Sequence, residues 1–129
     1  MERNKVIAPI VVALGFAPRG KDFYHPDSKF FLEFPPGPLS FGNRYIDPSQ
    51  ATTLKTRFGS LRIITATQCV MDRLAWYVHG KDPQARVQAV LVARHQPVDW
   101  RDISDWAAAE GIDKGVIAGI RAEATPLAT

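Results

Sequence analysis

A single cysteine, Cys69, stands in 129 residues, so no internal disulfide can form and the fold must hold by packing alone. Such usage fits a reducing cytoplasm, the expected compartment. Cys69 falls inside a helical pattern without the local signature of a nucleophile, and is expected to be a buried structural thiol. Histidine is nearly as scarce. His25, His79 and His95 are too scattered for a metal-ligand spacing, and no cysteine cluster supports a zinc site. No run of about 18 uncharged apolar residues occurs, so no membrane span is expected. The apolar stretch at residues 6–14 follows a charged start, but it is short, contains Pro9 and lacks a small-x-small cleavage site; it reads as structure rather than as a leader. Also missing are a Walker loop, a dinucleotide-binding glycine fingerprint, a nucleophile elbow and a zincin helix. Ser40, Ser49 and Ser60 have no neighbours that would mark a hydrolase triad, and there is no internal repeat or low-complexity tract.

Apolar residues are plentiful. At 46% hydrophobic, a chain of this length is expected to form one domain, burying about two thirds of its unfolded surface. The net charge of +3 is unevenly spread: residues 1–96 hold 13 Lys or Arg against 7 Asp or Glu, and residues 97–129 hold 3 against 6. A basic body with an acidic tail favours phosphate-bearing partners for the first part.

The strongest strand signal lies at residues 29–39. Phe30, Leu32 and Phe34 alternate with Phe31 and Glu33, which predicts a core face and a second face bearing a carboxylate in mid-strand. Pro35, Pro36 and Pro38 end the strand, because proline cannot donate to a ladder. Before it, residues 4–14 place Ile7, Ile10, Val11 and Leu14 at helical spacing with Gly15 as a stop. Pro9 requires that this helix begin near Ile7 or kink, and its β-branched residues leave a buried strand as the alternative. Residues 19–25 form a short strand with Phe23 inward, joined to the Glu33 strand through the turn Pro26-Asp27-Ser28. Residues 35–43 are a Pro- and Gly-rich loop, either a site wall or a connector. A second hairpin follows, with Leu54, Thr56 and Phe58 on one face, a turn at Gly59-Ser60, and Lys55, Arg57 and Arg62 gathered on the polar face.

From Thr65 the period becomes helical. Thr65 and Gln68 have capping-box spacing, Val70, Leu74, Tyr77 and Val78 form the apolar stripe, and Gly80 marks the end. Asp82-Pro83 opens a helix running to about His95 with Val87, Val90 and Leu91 inward. Asp99 caps a third, with Val98 stapled onto Ile103 and Gly111 ending it, and Asp113 caps a last one through Val116, Ile117 and Ile120. The expected class is α+β: an N-terminal helix and an antiparallel sheet of two hairpins in residues 1–65, then a helical half in residues 66–129.

Glu33 must meet water, a cation such as Arg57 or Arg62, or a divalent metal. A metal would need companion carboxylates, and Asp22 and Asp27 are nearest in sequence. Arg73, Lys81 and Arg86 either extend the cationic surface of the second hairpin toward a nucleotide or nucleic acid, or solvate outer helix faces. Trp76, Tyr77, Trp100 and Trp106 either stack on bases or pack between helices, and an exposed tryptophan would favour an interface.

Several runs together carry a family likeness: Gly15-Phe16, Phe23-Tyr24-His25-Pro26-Asp27-Ser28, Phe30-Phe31-Leu32-Glu33-Phe34-Pro35-Pro36-Gly37-Pro38-Leu39, and Thr67-Gln68-Cys69-Val70-Met71-Asp72-Arg73-Leu74-Ala75. Across residues 10–112 the chain resembles the C-terminal part of small prokaryotic nucleotidyltransferase-like proteins, relatives of the minimal and toxin–antitoxin nucleotidyltransferases. The resemblance implies a truncated version of that fold, with Glu33 in the place of the third carboxylate of a two-metal site. The family's other two acids form an Asp-x-Asp pair on an earlier strand. No such pair is present here, and the chain begins roughly where that catalytic strand should already have passed.

Without two of three anionic ligands, a paired Mg²⁺ site is too weak and too open to align an in-line displacement. The expected function is therefore a degenerate, non-catalytic module that binds another protein or a second copy, as an antitoxin, a phage-defence component or an inhibitor of one, with no required cofactor. Two alternatives remain. One is a Mg²⁺-dependent nucleotidyltransferase completed by a partner chain or homodimer, with Glu33 as catalytic residue and metal ligand. The other is a nucleotide- or RNA-binding protein using Lys55, Arg57, Arg62 and Arg73.

Overall fold

A computed structural model describes residues 2–35 and 37–126. The chain is α+β, with an N-terminal helix, antiparallel hairpins and then four helices, and it divides into two compact units, Met1–Gly37 and Pro38–Thr129. The break falls in the Pro- and Gly-rich stretch that ends the Glu33 strand. No helix among the described residues is long and apolar enough to cross a membrane.

In the first unit, α1 (Glu2–Ala13) runs through Pro9 instead of starting near Ile7. Proline costs one N–H in the ladder without preventing helix on either side. The helix ends in a Schellman turn: Gly15 sits at φ 99°, its N–H donates to the Val12 carbonyl at 3.0 Å, and the Phe16 N–H donates to the Val11 carbonyl at 3.2 Å. Three short strands follow, β1 (Ala17–Arg19), β2 (Asp22–Tyr24) and β3 (Phe31–Glu33), paired antiparallel in that order. The register places Pro18 opposite Phe23 and Phe23 opposite Leu32. Among the described residues of this unit only Val11 and Phe23 are buried. The core face expected of Phe30, Leu32 and Phe34 is instead exposed, Phe30 at 72%. Strands of three residues beside one helix have too little apolar area to cover it.

The second unit has a core. Val70, Met71 and Leu74 of α2 (Ala66–His79), Ala89 and Val90 of α3 (Pro83–His95), Ile103, Trp106 and Ala107 of α4 (Trp100–Ala109), and Ile117 and Ile120 of α5 (Lys114–Ala124) pack together, with Ile112 between the last two helices. The caps explain the helix boundaries. Gln68 N–H donates to Thr65 Oγ1 at 3.1 Å while Thr65 N–H donates to Gln68 Oε1 at 2.9 Å; Asp82, Asp99 and Asp113 each accept a first-turn N–H. After α2 the left-handed residue is Lys81 at φ 52°, Gly80 being right-handed. Val87 and Leu91 of α3, expected inward, face out. The inward stripe is Ala85, Ala89 and Val90, and small side chains let the helix lie closer to its neighbours.

The stretch expected to be a loop, residues 35–43, instead contains β4 (Ser40–Phe41), which turns at Gly42-Asn43 and pairs with β5 (Arg44–Tyr45) just beyond it. Phe41 is completely buried in the helical core. Its carbonyl accepts the Trp106 indole N–H at 3.0 Å, Glu110 accepts the Asn43 backbone N–H at 2.6 Å, and Arg44 meets Asp102 at 2.9 Å. After a short 3₁₀ turn come β6 (Thr52–Thr56) and β7 (Gly59–Ile63). The turn between them is Arg57-Phe58, not Gly59-Ser60: Thr56 pairs with Gly59, Thr56 Oγ1 accepts the Phe58 N–H at 3.2 Å, and its hydroxyl donates to the Gly59 carbonyl at 2.7 Å.

Candidate functional site

Glu33 ends β3, an edge strand. The cation it meets is Lys21, from the turn between β1 and β2, with Nζ 3.2 Å from Oε1, rather than either of the arginines expected. Both groups are substantially exposed, so the pair contributes at most about 1 kcal/mol. Directly across the ladder from Glu33 stands Asp22, whose Oδ1 is buried with no hydrogen-bond partner among the described residues. Two carboxylates facing each other on neighbouring strands repel, and Lys21 offsets that. Asp27 lies in the turn as expected, its N–H donating to His25 Nδ1 at 3.0 Å. Among the described residues no three His, Cys, Asp or Glu side chains come together to hold a metal ion. Glu33 and Asp22 are a pair of carboxylates at facing positions, one short of such a group.

The two edges of this sheet differ. β1 carries Pro18, which has no N–H for a further strand. β3 carries Phe31, Leu32 and Glu33, all exposed, and no strand pairs with its outer edge among the described residues. Phe31 stacks on Tyr24 with ring centroids 5.5 Å apart, and Phe34 meets Phe23 edge-on at 5.9 Å. These aromatics stiffen the strand without covering it.

Lys55 and Arg62 come together as the alternation implied. Lys55 lies opposite Ser60 and Arg62 opposite Thr53, so the two cations are diagonal neighbours on one face of the β6–β7 hairpin. Arg57 does not join that face, because it occupies the turn, with its guanidinium 4.6 Å from the centre of the Phe58 ring. None of the three forms an ion pair among the described residues. Arg73 is separate from them: it is held on α2 by Asp72, with Nε at 3.0 Å, and by Gln88 of α3 at 3.0 Å. Arg86 is likewise tied to Glu123 of α5 at 2.8 and 3.0 Å. Of the two readings offered for the helix cations, Arg73 is thus engaged by neighbours on α2 and α3 and Arg86 by α5, while Lys81 is exposed.

Phe58, assigned by alternation to an inward face, projects from the turn at 86% exposure. The signal that marks it is local, a Thr two residues before it that can close a side-chain turn and a Gly just after. Of the tryptophans, Trp106 is buried, Trp100 is half-buried beneath Arg121, and Trp76 is 54% exposed. Trp76 borders a shallow cleft of about 370 Å³ with Ser40, Asp72 and His79. Cys69 is half-buried on α2, and burial pushes its thiol up, with Asp72 adding to the effect and Arg73 opposing it. Less thiolate at neutral pH agrees with a structural thiol.

No family model matches this chain, and neither does any curated protein or solved structure. Nothing in these comparisons identifies a nucleotidyltransferase-like family.

Proposed function

We propose that this chain is a non-catalytic, nucleotidyltransferase-like module that acts by binding another protein, as an antitoxin, a phage-defence component or an inhibitor of one. The observation that carries this reading is the open edge of β3. A short sheet with proline on one edge and an exposed Phe-Leu-Glu strand on the other is suited to receive an extended segment of a partner chain. Main-chain hydrogen bonds would supply affinity, and the apolar side chains specificity. The low internal burial of the first unit supports the same conclusion, since surface of that kind gains most from being covered.

The test uses the tagged chain as bait in extracts of its source cells. The wild type is expected to retain a defined protein, Phe31→Pro to lose it because the Leu32 N–H is turned toward Phe23 of β2 while that of Phe31 faces the open edge, so that proline at 31 removes an edge donor, and Glu33→Ala to keep it. Equal recovery with wild type and Phe31→Pro would refute the edge as the binding surface. One observation favours the composite enzyme as a second reading: Asp22 stands opposite Glu33, so a partner supplying further carboxylates would find two already in place. Nucleotide transfer with Mg²⁺ and labelled nucleoside triphosphates in the presence of the captured partner, abolished by Glu33→Ala alone, would establish that reading in place of the first.

A further inference from the structure

From Pro48 to Met71 the sequence contains no Asp or Glu, and its only charges are Lys55, Arg57 and Arg62. All three lie on the β6–β7 hairpin. Every residue of both strands is exposed, and the strands pack on each other and on little else. A field of one sign, unneutralised by any acid on the same element, attracts a polyanion. The turn adds a second feature: Phe58 is the most exposed of the large apolar side chains described, and the Arg57 guanidinium lies over its ring. An aromatic ring backed by a guanidinium is a platform on which a nucleobase stacks, tolerant of sequence because every base has a π-face. The hydroxyls of Thr53 and Ser60 share the face of Lys55 and Arg62 and are suitable donors to phosphate oxygens.

We infer that the β6–β7 hairpin is a binding arm for single-stranded nucleic acid. Lys55, Arg57 and Arg62 contact successive phosphates, and one base stacks on Phe58. This surface is distinct from the β3 edge and does not depend on it. A single strand suits the arm better than a duplex, because an unpaired base presents a face that the duplex stack already occupies. The three cations set the salt dependence. Three phosphates neutralised on a single strand give a log–log slope of about −2, so affinity falls about 20-fold between about 50 and 200 mM salt.

The experiment is fluorescence anisotropy of the full chain with labelled oligo(dT), oligo(rU) and a duplex, each about 12 nucleotides long, a length within the usual site sizes. Both single strands are expected to bind with that slope, and the ratio between them tells whether RNA or DNA is preferred. Phe58→Ala is expected to weaken binding about 5- to 150-fold, while Phe58→Trp retains it. Lys55→Ala and Arg62→Ala should each reduce the slope by about 0.7. All these positions are exposed, so far-UV circular dichroism should be unchanged. Three results would overturn the proposal: no saturable binding at about 50 mM salt, a preference for the duplex, or indifference to Phe58→Ala and to the combined loss of the three cations. Self-association through the apolar face of Leu54, Leu61 and Ile63, abolished by Leu54→Ser in sedimentation while the oligonucleotides stay unbound, would assign the arm to a second copy of the chain instead.

Discussion

Replacing Phe41 with Ala tests whether the β4–β5 hairpin belongs to the helical core. The ring is completely buried among residues from α2 through α5, and truncating a buried phenylalanine costs about 3–5 kcal/mol. The other attachments of the hairpin survive the substitution, because Trp106 donates to the Phe41 backbone carbonyl and the contacts to Glu110 and Asp102 come from Asn43 and Arg44. The loss is therefore that of the side chain alone. A chain of 129 residues has a total stability of about 6–19 kcal/mol. A mid-range loss of about 4 out of about 12 removes a third of it and lowers the urea midpoint by about 2 M at a typical denaturant slope. The control is Leu39→Ala, two positions earlier in the same segment, where the side chain is half exposed and the expected cost is below about 1 kcal/mol. Urea unfolding followed by circular dichroism should separate the two variants clearly. If Phe41→Ala shifts the midpoint no further than Leu39→Ala, the hairpin is a surface attachment and the packing described above is wrong.

Two further outcomes follow from the ionisable groups. The Arg86 guanidinium, with a smaller contribution from Arg94, holds the Glu123 carboxyl below its ordinary value, so this pair stabilises the fold above the ordinary carboxylate range and loses its effect as pH falls through the lowered folded value. Carboxyl-carbon NMR should show the Glu123 midpoint rising on Arg86→Gln, and an unmoved midpoint would refute the pairing. Because burial raises the Cys69 thiol, its reaction with an aromatic disulfide reagent at neutral pH should be slower than that of a small free thiol and should accelerate in denaturant. Equal rates in folded and unfolded protein would contradict the burial.

The helices were legible in the sequence because what starts and stops them is local. Thr65 and Gln68 are three residues apart and cap each other, and Asp82, Asp99 and Asp113 each bond a backbone N–H within three residues. Which face of a helix points inward was less legible. Hydropathy ranks Val87 and Leu91 above Ala85 and Ala89, yet close approach between helices selects the small residues. The β4–β5 hairpin was hidden for another reason: its strands have two residues each, too short for any period, and its anchors, Asp102 and Glu110, lie 58 and 67 residues further on. At the candidate sites, alternation correctly put Lys55 and Arg62 on one face but carried Arg57 and Phe58 past the true turn. The partner of Glu33 emerges only once the register of β2 against β3 is known.

Alternation along a strand states that its two faces differ; it does not state what covers the apolar one. For α2 through α5 the cover comes from the helices themselves, and their apolar stripes are buried. For β3 and for the β6–β7 hairpin the same kind of pattern ends in exposed Phe30, Phe31, Leu54, Leu61 and Ile63. A hairpin that packs on nothing is marginal in water, and an uncovered apolar edge strand invites another chain. Nothing within the described residues covers these patterns, which is the condition that both proposed binding surfaces require. The two surfaces differ in what they would accept: β3 offers an unpaired ladder and little net charge once Lys21 meets Glu33, which suits a peptide strand, whereas the hairpin offers three cations with no ion pair among the described residues and an exposed aromatic ring backed on one side by Arg57, which suits a phosphate backbone with free bases.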